Sequence, residues 1–183
     1  MMFVETALRG AFVVEPERRE DERGFFARTF CREKFEARGL NSRIAQCNIS
    51  FNKARGALRG MHYQRAPHEE AKVISCARGA IFDAIIDLRR GSSTFGRWFA
   101  IELTAENYKM LYVPEGFAHG FQALQEDSVV HYQMSEFYHP ECAEGIKWDD
   151  PFFKIAWPLQ PTTISLQDRS YAPFNAEAHL RRS

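Results

Sequence analysis

The sequence predicts an all-β protein, an antiparallel double-stranded β-helix (jelly roll) with a few short helices. Six short runs rich in β-branched and aromatic residues follow one another after residue 71, and the turn sequences RRGSS, TAEN, PEG and QED separate them. The connections are too short for the helical crossovers that parallel strands need. With 183 residues, 45% of them hydrophobic, the chain is expected to form one domain, residues 1–183, around a sizeable core.

The elements can be assigned in chain order. A helix is predicted within RTFCREKFEARGL, residues 28–40, with Thr29 as its N-terminal cap and Gly39 as its left-handed end. LRGMHYQ, residues 58–64, is compatible with a strand. The six further predicted strands are KVISCARG, AIFDAIIDL, RWFAIEL, KMLYVPEG, GFQAL and SVVHYQMSEFY.

Strand alternation predicts which side chains share a face. In SVVHYQM, Val130, Tyr132 and Met134 share the face that is expected to point inward, where a tyrosine hydroxyl needs a partner. In LRGMHYQ, strict alternation separates Arg59 from His62. The two side chains can converge only if the glycine between them forms a β-bulge, a common use of glycine inside a strand.

Cysteine spacing and the N-terminal sequence indicate the compartment. The cysteines contain no C-x-x-C pair and are predicted to be free thiols in a reducing environment; they are Cys31, Cys47, Cys76 and Cys142. MMFVETALRG lacks the apolar run of a signal peptide, and no stretch reaches the roughly 18 apolar residues of a membrane span. The protein is therefore expected to be cytoplasmic, with no membrane partner.

The net charge is zero, which argues against a nucleic-acid partner held by bulk electrostatics. The charges are nevertheless unevenly distributed, because residues 1–65 hold 13 Lys/Arg against 8 Asp/Glu. No acid occurs between Glu36 and Glu69, whereas six basic residues do: Arg38, Arg43, Lys53, Arg55, Arg59 and Arg65. This segment is either a solvated basic face or a site for a small anion such as a diphosphate.

Three features are candidates for chemistry: His62 followed ten residues later by Lys72, His119 in the turn PEGFAHGF, and the inward Tyr132. Taken singly, each also fits an ordinary core or surface residue. A metal site is another alternative, with His62, His68, Glu69 or Glu70, and His119 as ligands. It is incomplete, because metal-binding jelly rolls usually present His-x-His where this chain has HYQ, ending in Gln64.

Together these residues resemble the dTDP-4-dehydrorhamnose 3,5-epimerase family, cupin-like jelly rolls that act on nucleotide-linked 4-keto-6-deoxysugars. The resemblance runs over nearly the whole chain. Its segments are DERGFF, NISFNKARGALRGMHYQ, EEAKVISCARGAIFDAIIDLRRGSSTFGRW, LTAENYKMLYVPEGFAHGF, YQMSEFYHPE, GIKWDDP and ISLQDRS. RG-x-HYQ, VPEGFAHGF and W-DDP in this order are its most specific parts.

The resemblance implies roles for single residues. Epimerisation beside a ketone needs a base, a group that holds the enolate oxygen, and an acid on the opposite face. By similarity His62 is the base, Asp168 orients it, Lys72 stabilises the enolate and Tyr132 is the acid, and no metal or other cofactor is required. The implied substrate-binding residues are Arg23, Phe26, Gln46, Asn48, Arg59, His119 and Tyr138.

The family also suggests how the substrate is held. Arg23 and Arg59 would hold the diphosphate, since forked guanidinium donors suit phosphate oxygens. Gln46 and Asn48 would lie near the nucleotide base, and Tyr138 near the junction with the sugar. The implied partners are a nucleotide-diphosphate 4-keto-6-deoxysugar and a second copy of the chain in a homodimer, whose N-terminal arm would complete the neighbouring site.

Two positions depart from the family pattern. Arg28 in RGFFART replaces a glutamate that helps to recognise thymidine, so the nucleotide here can differ. Glu70 replaces a glutamine two residues before Lys72 and adds a charge near the lysine. Either change can alter the substrate or limit inversion to one carbon. The alternative functions are a metal-dependent cupin enzyme, such as a dioxygenase or metallo-isomerase, and a non-catalytic carbohydrate-binding jelly roll.

Overall fold

The computed structural model describes residues 1–181, which form mainly β-strands with three short helices. The strands are β1 (Met2–Glu5), β2 (Phe12–Glu15), β3 (Arg18–Asp21), β4 (Gly24–Ala27), β5 (Gln46–Asn52), β6 (Leu58–Gln64), β7 (Lys72–Arg78), β8 (Ala80–Asp87), β9 (Trp98–Thr104), β10 (Met110–Val113), β11 (Phe117–Ala123), β12 (Ser128–Met134) and β13 (Ala143–Gly145). The helices are α1 (Arg32–Glu36), α2 (Leu166–Ser170) and α3 (Ala176–Arg181). None of the helices formed by residues 1–181 has the length and apolar character needed to span a bilayer.

The strands form two large antiparallel sheets and one separate hairpin. The six-stranded sheet has the order β1-β2-β10-β7-β12-β5, and the five-stranded sheet has the order β13-β6-β11-β8-β9. Strands β3 and β4 pair only with each other. The predicted antiparallel jelly roll is confirmed.

The core lies between the two large sheets and continues behind the five-stranded one. Ile74, Ile85 and Val130 are completely buried between the sheets. Behind the five-stranded sheet, Met61 and Ile86 pack under C-terminal residues. Strand β8 is apolar on both faces because each face is covered, which explains its nearly continuous hydrophobic sequence. Each such buried aliphatic side chain contributes about 1.5–3 kcal/mol to stability.

The helix prediction was only partly correct. Helix α1 covers five residues, and its N-cap is Cys31, which makes no side-chain capping bond, so Thr29 does not cap it. Gly39 does adopt the predicted left-handed conformation, with φ of 67°. The helix depends instead on Phe35, which is completely buried and packs edge-on against Tyr112. The packing of the Phe35 ring in the core, and not a local cap, therefore stabilises this helix.

The N-terminal strands and the position of His119 also differ from the prediction. Strands β1 to β5 have no counterpart among the predicted runs. His119 was assigned to a turn, but the turn ends at Gly116 and His119 lies within β11. Strand β11 is central, between β6 and β8, and all of its residues are buried. Because β11 is hydrogen-bonded to both neighbouring strands, it continues through Gly120, one of the glycines that suggested a turn.

Candidate active site

A cavity of about 490 Å³ opens between the two large sheets. Eight of the predicted site residues line it: Gln46, Asn48, Arg59, His62, Lys72, His119, Tyr132 and Tyr138. Residues far apart in the sequence therefore meet at one polar cavity within a largely apolar roll.

The two sheets supply opposite walls of this cavity. Strands β6 and β11 of the five-stranded sheet carry His62 and His119, which are register partners. Strands β7 and β12 of the six-stranded sheet carry Lys72 and Tyr132, so Tyr132 lies on the interior face as predicted. A ligand between the walls would have an imidazole on one side and a phenol on the other.

A bulge in β6 brings Arg59 and His62 to the same cavity. Along β11, His119 and Phe121 are two residues apart, but their partners His62 and Arg59 are three apart. The extra residue lies at Gly60, whose φ is 118°. A Cβ atom there would lie 2.5 Å from Cα of Gly120, so only glycine allows the two strands to approach so closely. The predicted bulge is confirmed.

His62 forms a pair with Asp168. Nε2 of His62 lies 2.7 Å from Oδ1 of Asp168, and the N–H of Gly60 donates to Oδ2 at 3.2 Å. Burial alone would raise the pKa of the Asp168 carboxyl, but these hydrogen bonds and the nearby imidazole outweigh it and lower the pKa. The ionised carboxylate can only accept, so Nε2 carries the hydrogen, and in the neutral form of the ring Nδ1 has the free lone pair. With 46% of its side chain exposed, His62 is placed to take a proton from a bound ligand.

Asp168 reaches His62 from the start of helix α2. Ser165 is the N-cap, and its hydroxyl accepts from the N–H of Asp168 at 3.0 Å. This capping bond fixes the backbone of Asp168, whose side chain is only 5% exposed. This short helix is therefore the support that orients the imidazole.

Lys72 is buried in an ion pair. Its Nζ lies 2.7 Å from Oε1 of Glu70, and the side chains of Lys72 and Glu70 are 7% and 6% exposed.

Burial raises the pKa of Tyr132; the positive charge of Arg59 opposes this shift and the negative charge of Glu70 adds to it. Tyr132 therefore remains protonated at neutral pH.

Two further polar pairs shape the walls. His119 Nε2 lies 2.7 Å from Oδ1 of the completely buried Asp83. Nε of Arg59 donates to Oδ1 of Asn52 at 2.8 Å, and Arg59 itself lies at the solvent-exposed side of the cavity. These partners fix the imidazole of His119 inside the cavity and the guanidinium of Arg59 at its exposed side.

The proposed metal ligands do not form a group in the cavity. His62 pairs with Asp168, His119 with Asp83 and Glu70 with Lys72, while Gln64 occupies the position of the missing histidine. The amide of Gln64 donates to the carbonyl oxygens of His68 and Phe137 and accepts from the N–H of His139 at 2.6 Å. Gln64 therefore organises backbone at the rim.

Comparison with known proteins identifies the family. The model of the family described as dTDP-4-dehydrorhamnose 3,5-epimerase matches residues 5–176. The chain belongs to this family. The epimerase of Methanothermobacter thermautotrophicus is 45% identical over 174 residues, covering 93% of each chain.

Solved structures of epimerases extend the similarity to three dimensions. The crystal structure of the epimerase from Elizabethkingia anophelis NUHP1 is 40% identical, with a TM-score of 0.92 over 95% of this chain and 96% of that one. The Legionella pneumophila epimerase, solved in complex with dTDP-4-keto-L-rhamnose, is 35% identical, with a TM-score of 0.88 over 96% and 95% of the two chains. As a member of the dTDP-4-dehydrorhamnose 3,5-epimerase family, this chain is an isomerase.

Two residues predicted for the epimerase site lie away from this cavity. Arg23 and Phe26 belong to the β3–β4 hairpin, where the Arg23 side chain is 84% exposed and Phe26 is 65% exposed. Arg23 instead pairs with Asp21 at 2.6 Å. Of the six basic residues between Glu36 and Glu69, Arg59 is the one that lines the cavity. The basic segment as a whole therefore does not form a continuous site within this chain.

Several cavity residues of this epimerase were missed by sequence reasoning. Gln167 and Tyr171 line the cavity next to the predicted carboxylate, and the Tyr171 ring lies 6.3 Å from the ring of His62. A Cβ at Gly145 would lie 2.1 Å from this tyrosine ring, so the glycine provides its space. The available signal was their position within three residues of Asp168 in the chain.

Proposed function

We propose that the chain inverts C3 and C5 of dTDP-4-keto-6-deoxyglucose through enolate intermediates and so supplies dTDP-4-keto-rhamnose. One observation carries this proposal. A base held by a carboxylate, a lysine and a protonated tyrosine meet at one cavity, with the base and the tyrosine on opposite sheets. Inversion needs a proton to leave one face of the carbon and return to the other.

The first half of the reaction is assigned to His62 and Lys72. Nδ1 of His62 removes the proton from the carbon next to the C4 ketone, and the electrons of that C–H bond form the enolate. The Asp168 carboxylate stabilises the resulting imidazolium through Nε2–H. The Lys72 ammonium stabilises the negative charge on the C4 oxygen.

The second half is assigned to Tyr132. Its hydroxyl donates a proton to the opposite face of the carbon while the enolate electrons restore the ketone. Solvent then protonates the tyrosinate and takes the proton from His62. The raised pKa of Tyr132 supports this role, because the hydroxyl stays protonated until the enolate is present.

Substrate binding is assigned to the remaining cavity residues. Arg59 would hold the diphosphate, Gln46 and Asn48 the nucleotide base, and Tyr138 the junction with the sugar. His119, held by Asp83, would line the sugar site. These assignments rest on the family pattern and on the position of each residue in the cavity wall.

Deuterium exchange tests the function directly. When the protein is incubated with dTDP-4-keto-6-deoxyglucose in deuterated water, we expect deuterium at both C3 and C5, measured by NMR and mass spectrometry. Exchange at C3 alone would restrict the activity to one centre. The same assay with the CDP, UDP and GDP sugars shows whether Arg28 changes the choice of nucleotide. Arg28 lies on the exposed segment after β4.

Full ligand affinity without exchange on any of the nucleotide sugars would instead support a carbohydrate-binding protein. A stoichiometric ion bound to His62 and His119, whose removal by a chelator abolishes exchange, would support the metal-dependent alternative. Each outcome therefore selects one of the three functions that the fold allows.

We also propose a homodimer in which the β3–β4 hairpin of one subunit completes the cavity of the other. Arg23 and Phe26 are exposed on this hairpin and do not line the cavity of their own chain. Ile49 and Phe51, 70% and 47% exposed on the edge strand β5, provide apolar surface for a second copy. A substrate-binding role for the hairpin therefore requires a partner.

The hairpin proposal predicts complementation between two kinds of impaired subunit, measured at a substrate concentration below KM. An Arg23→Ala/Phe26→Ala variant should raise KM about tenfold or more through loss of a charged phosphate contact. Mixing these subunits with His62→Ala subunits should restore activity, because each mixed dimer has one complete site. His62→Ala mixed with Lys72→Met is the control and should stay inactive. No gain on mixing the hairpin variant, or a monomer by light scattering, would contradict the proposal.

The domain boundaries and the cellular compartment complete the proposal. We propose that residues 1–183 act as one epimerase domain in the cytoplasm. All four cysteines are free, and Cys47 is exposed, which supports a reducing compartment.

A further inference from the structure

We propose that His68, Glu136 and His139 form a binding site for a divalent transition-metal ion at the rim of the substrate cavity. The potential ligand atoms of these three side chains all lie within 4.8 Å of one another. Two imidazoles and a carboxylate are a donor set that suits Zn²⁺, with the remaining position open to water. All three side chains are partly buried.

The two imidazoles lie next to one another, and rotation of their side chains would turn the in-plane nitrogen lone pairs toward one ion. The rings of His68 and His139 are stacked with centroids 3.5 Å apart and planes 11° from parallel. Glu141 Oε1 lies 3.0 Å from Nδ1 of His139. A carboxylate in this position orients a metal-bound imidazole by accepting from one nitrogen while the other binds the ion.

The side-chain amide of Gln64 holds the backbone on both sides of the site. Gln64 donates to the carbonyl oxygen of His68 at 2.9 Å and accepts from the N–H of His139 at 2.6 Å. One buried amide therefore fixes the two loops that carry the imidazoles. Arg43, 59% exposed and 3.7 Å from Oε1 of Glu136, is the competing cation at the carboxylate.

The site is separate from the proton-transfer residues but adjoins them. None of the three ligands lines the cavity, whereas Tyr138, next to His139, does. The N–H of Tyr138 donates to Oε1 of Gln46 at 2.9 Å, within the same wall. A bound ion would therefore restrain the segment that carries Tyr138 and take no part in the proton transfers.

Titration of the chelator-treated protein with Zn²⁺ and Co²⁺ tests the site. We expect one equivalent to bind by calorimetry, with a Co²⁺ visible spectrum typical of nitrogen and oxygen ligands. His68→Gln, His139→Gln and Glu136→Gln should each weaken binding more than tenfold, and Glu141→Gln about tenfold. Arg43→Gln should tighten it. Zn²⁺ should also slow amide hydrogen exchange in residues 136–141 of the wild type but not of His139→Gln.

Control variants separate this site from other ligands. His131→Gln and His62→Ala should bind the ion normally, and Cys47→Ser should leave the Co²⁺ spectrum unchanged. Binding that survives His68→Gln/His139→Gln, disappears with His62→Ala or Cys47→Ser, or never reaches one equivalent would overturn the proposal. Thermal melting of each metal-free variant establishes that it is folded. Glu136→Gln keeps both imidazoles and so tests the carboxylate ligand alone. Failure here leaves the epimerase assignment intact, because His62 and Lys72 are not part of this site.

Discussion

His62→Ala is expected to abolish deuterium exchange at C3 and C5 together and to lower kcat about 10³-fold. Removal of a positioned general base typically costs a factor of about 10²–10⁴ in rate. Both centres should be affected because His62 is the one imidazole of the cavity that pairs with Asp168. Exchange and turnover are measured separately, by NMR and by coupled reduction of the product.

Matched variants distinguish loss of the base from disturbance of the fold. His131→Ala changes a histidine that lies outside the cavity lining on β12 and should retain full exchange. Asp168→Asn keeps the shape of the carboxylate but favours the wrong imidazole tautomer, so its rate should also fall strongly. Equal exchange in His62→Ala and wild type would assign the base to another residue, with His119 the first to examine.

Lys72→Met should lower kcat about 10²–10³-fold, the usual cost of removing a preorganised group that stabilises an oxyanion. It should also destabilise the protein by about 3 kcal/mol, because the Glu70 carboxylate, 6% exposed, would remain buried without its cation. Both effects are measurable, the first by steady-state kinetics and the second by denaturant unfolding.

A second substitution separates these two effects. In Lys72→Met/Glu70→Gln the buried charge is gone, so stability should largely recover while activity stays low. Glu70→Gln alone keeps the lysine and should retain kcat within about tenfold, since an amide oxygen can still accept from Lys72. Recovery of activity in the double variant would show that Lys72 serves the fold and not the enolate.

Local pattern was sufficient for part of the fold and of the site. The alternation in SVVHYQM placed Tyr132 on the interior face, and the glycine in LRGMHYQ indicated the bulge that turns Arg59 and His62 toward one cavity. The helix near Phe35 was predicted too long, and His119 was assigned to a turn. In both places contacts with distant residues, and not the local sequence, determine the backbone conformation.

Long-range pairing was the harder part. Asp168 was connected with His62 only through family resemblance, because no local signal links residues 106 positions apart. Tyr171 and Gln167 were missed for the same reason. The positions of Arg23 and Phe26 outside the cavity could not be predicted either, since a hairpin sequence does not specify which surface it will contact.

By itself, the sequence determined the all-β antiparallel class, the strands from β6 to β12, the inward face of β12, the bulge at Gly60 and the resemblance to the family. The tertiary structure alone decided that base and acid occupy opposite sheets, that Glu70 neutralises Lys72, and that His68 meets His139 at the rim. The physical reason is the range of the interactions. Periodicity, turn preference and glycine conformation act over a few neighbouring residues, whereas ion pairs and cavity walls join residues that only the packing of two sheets brings together.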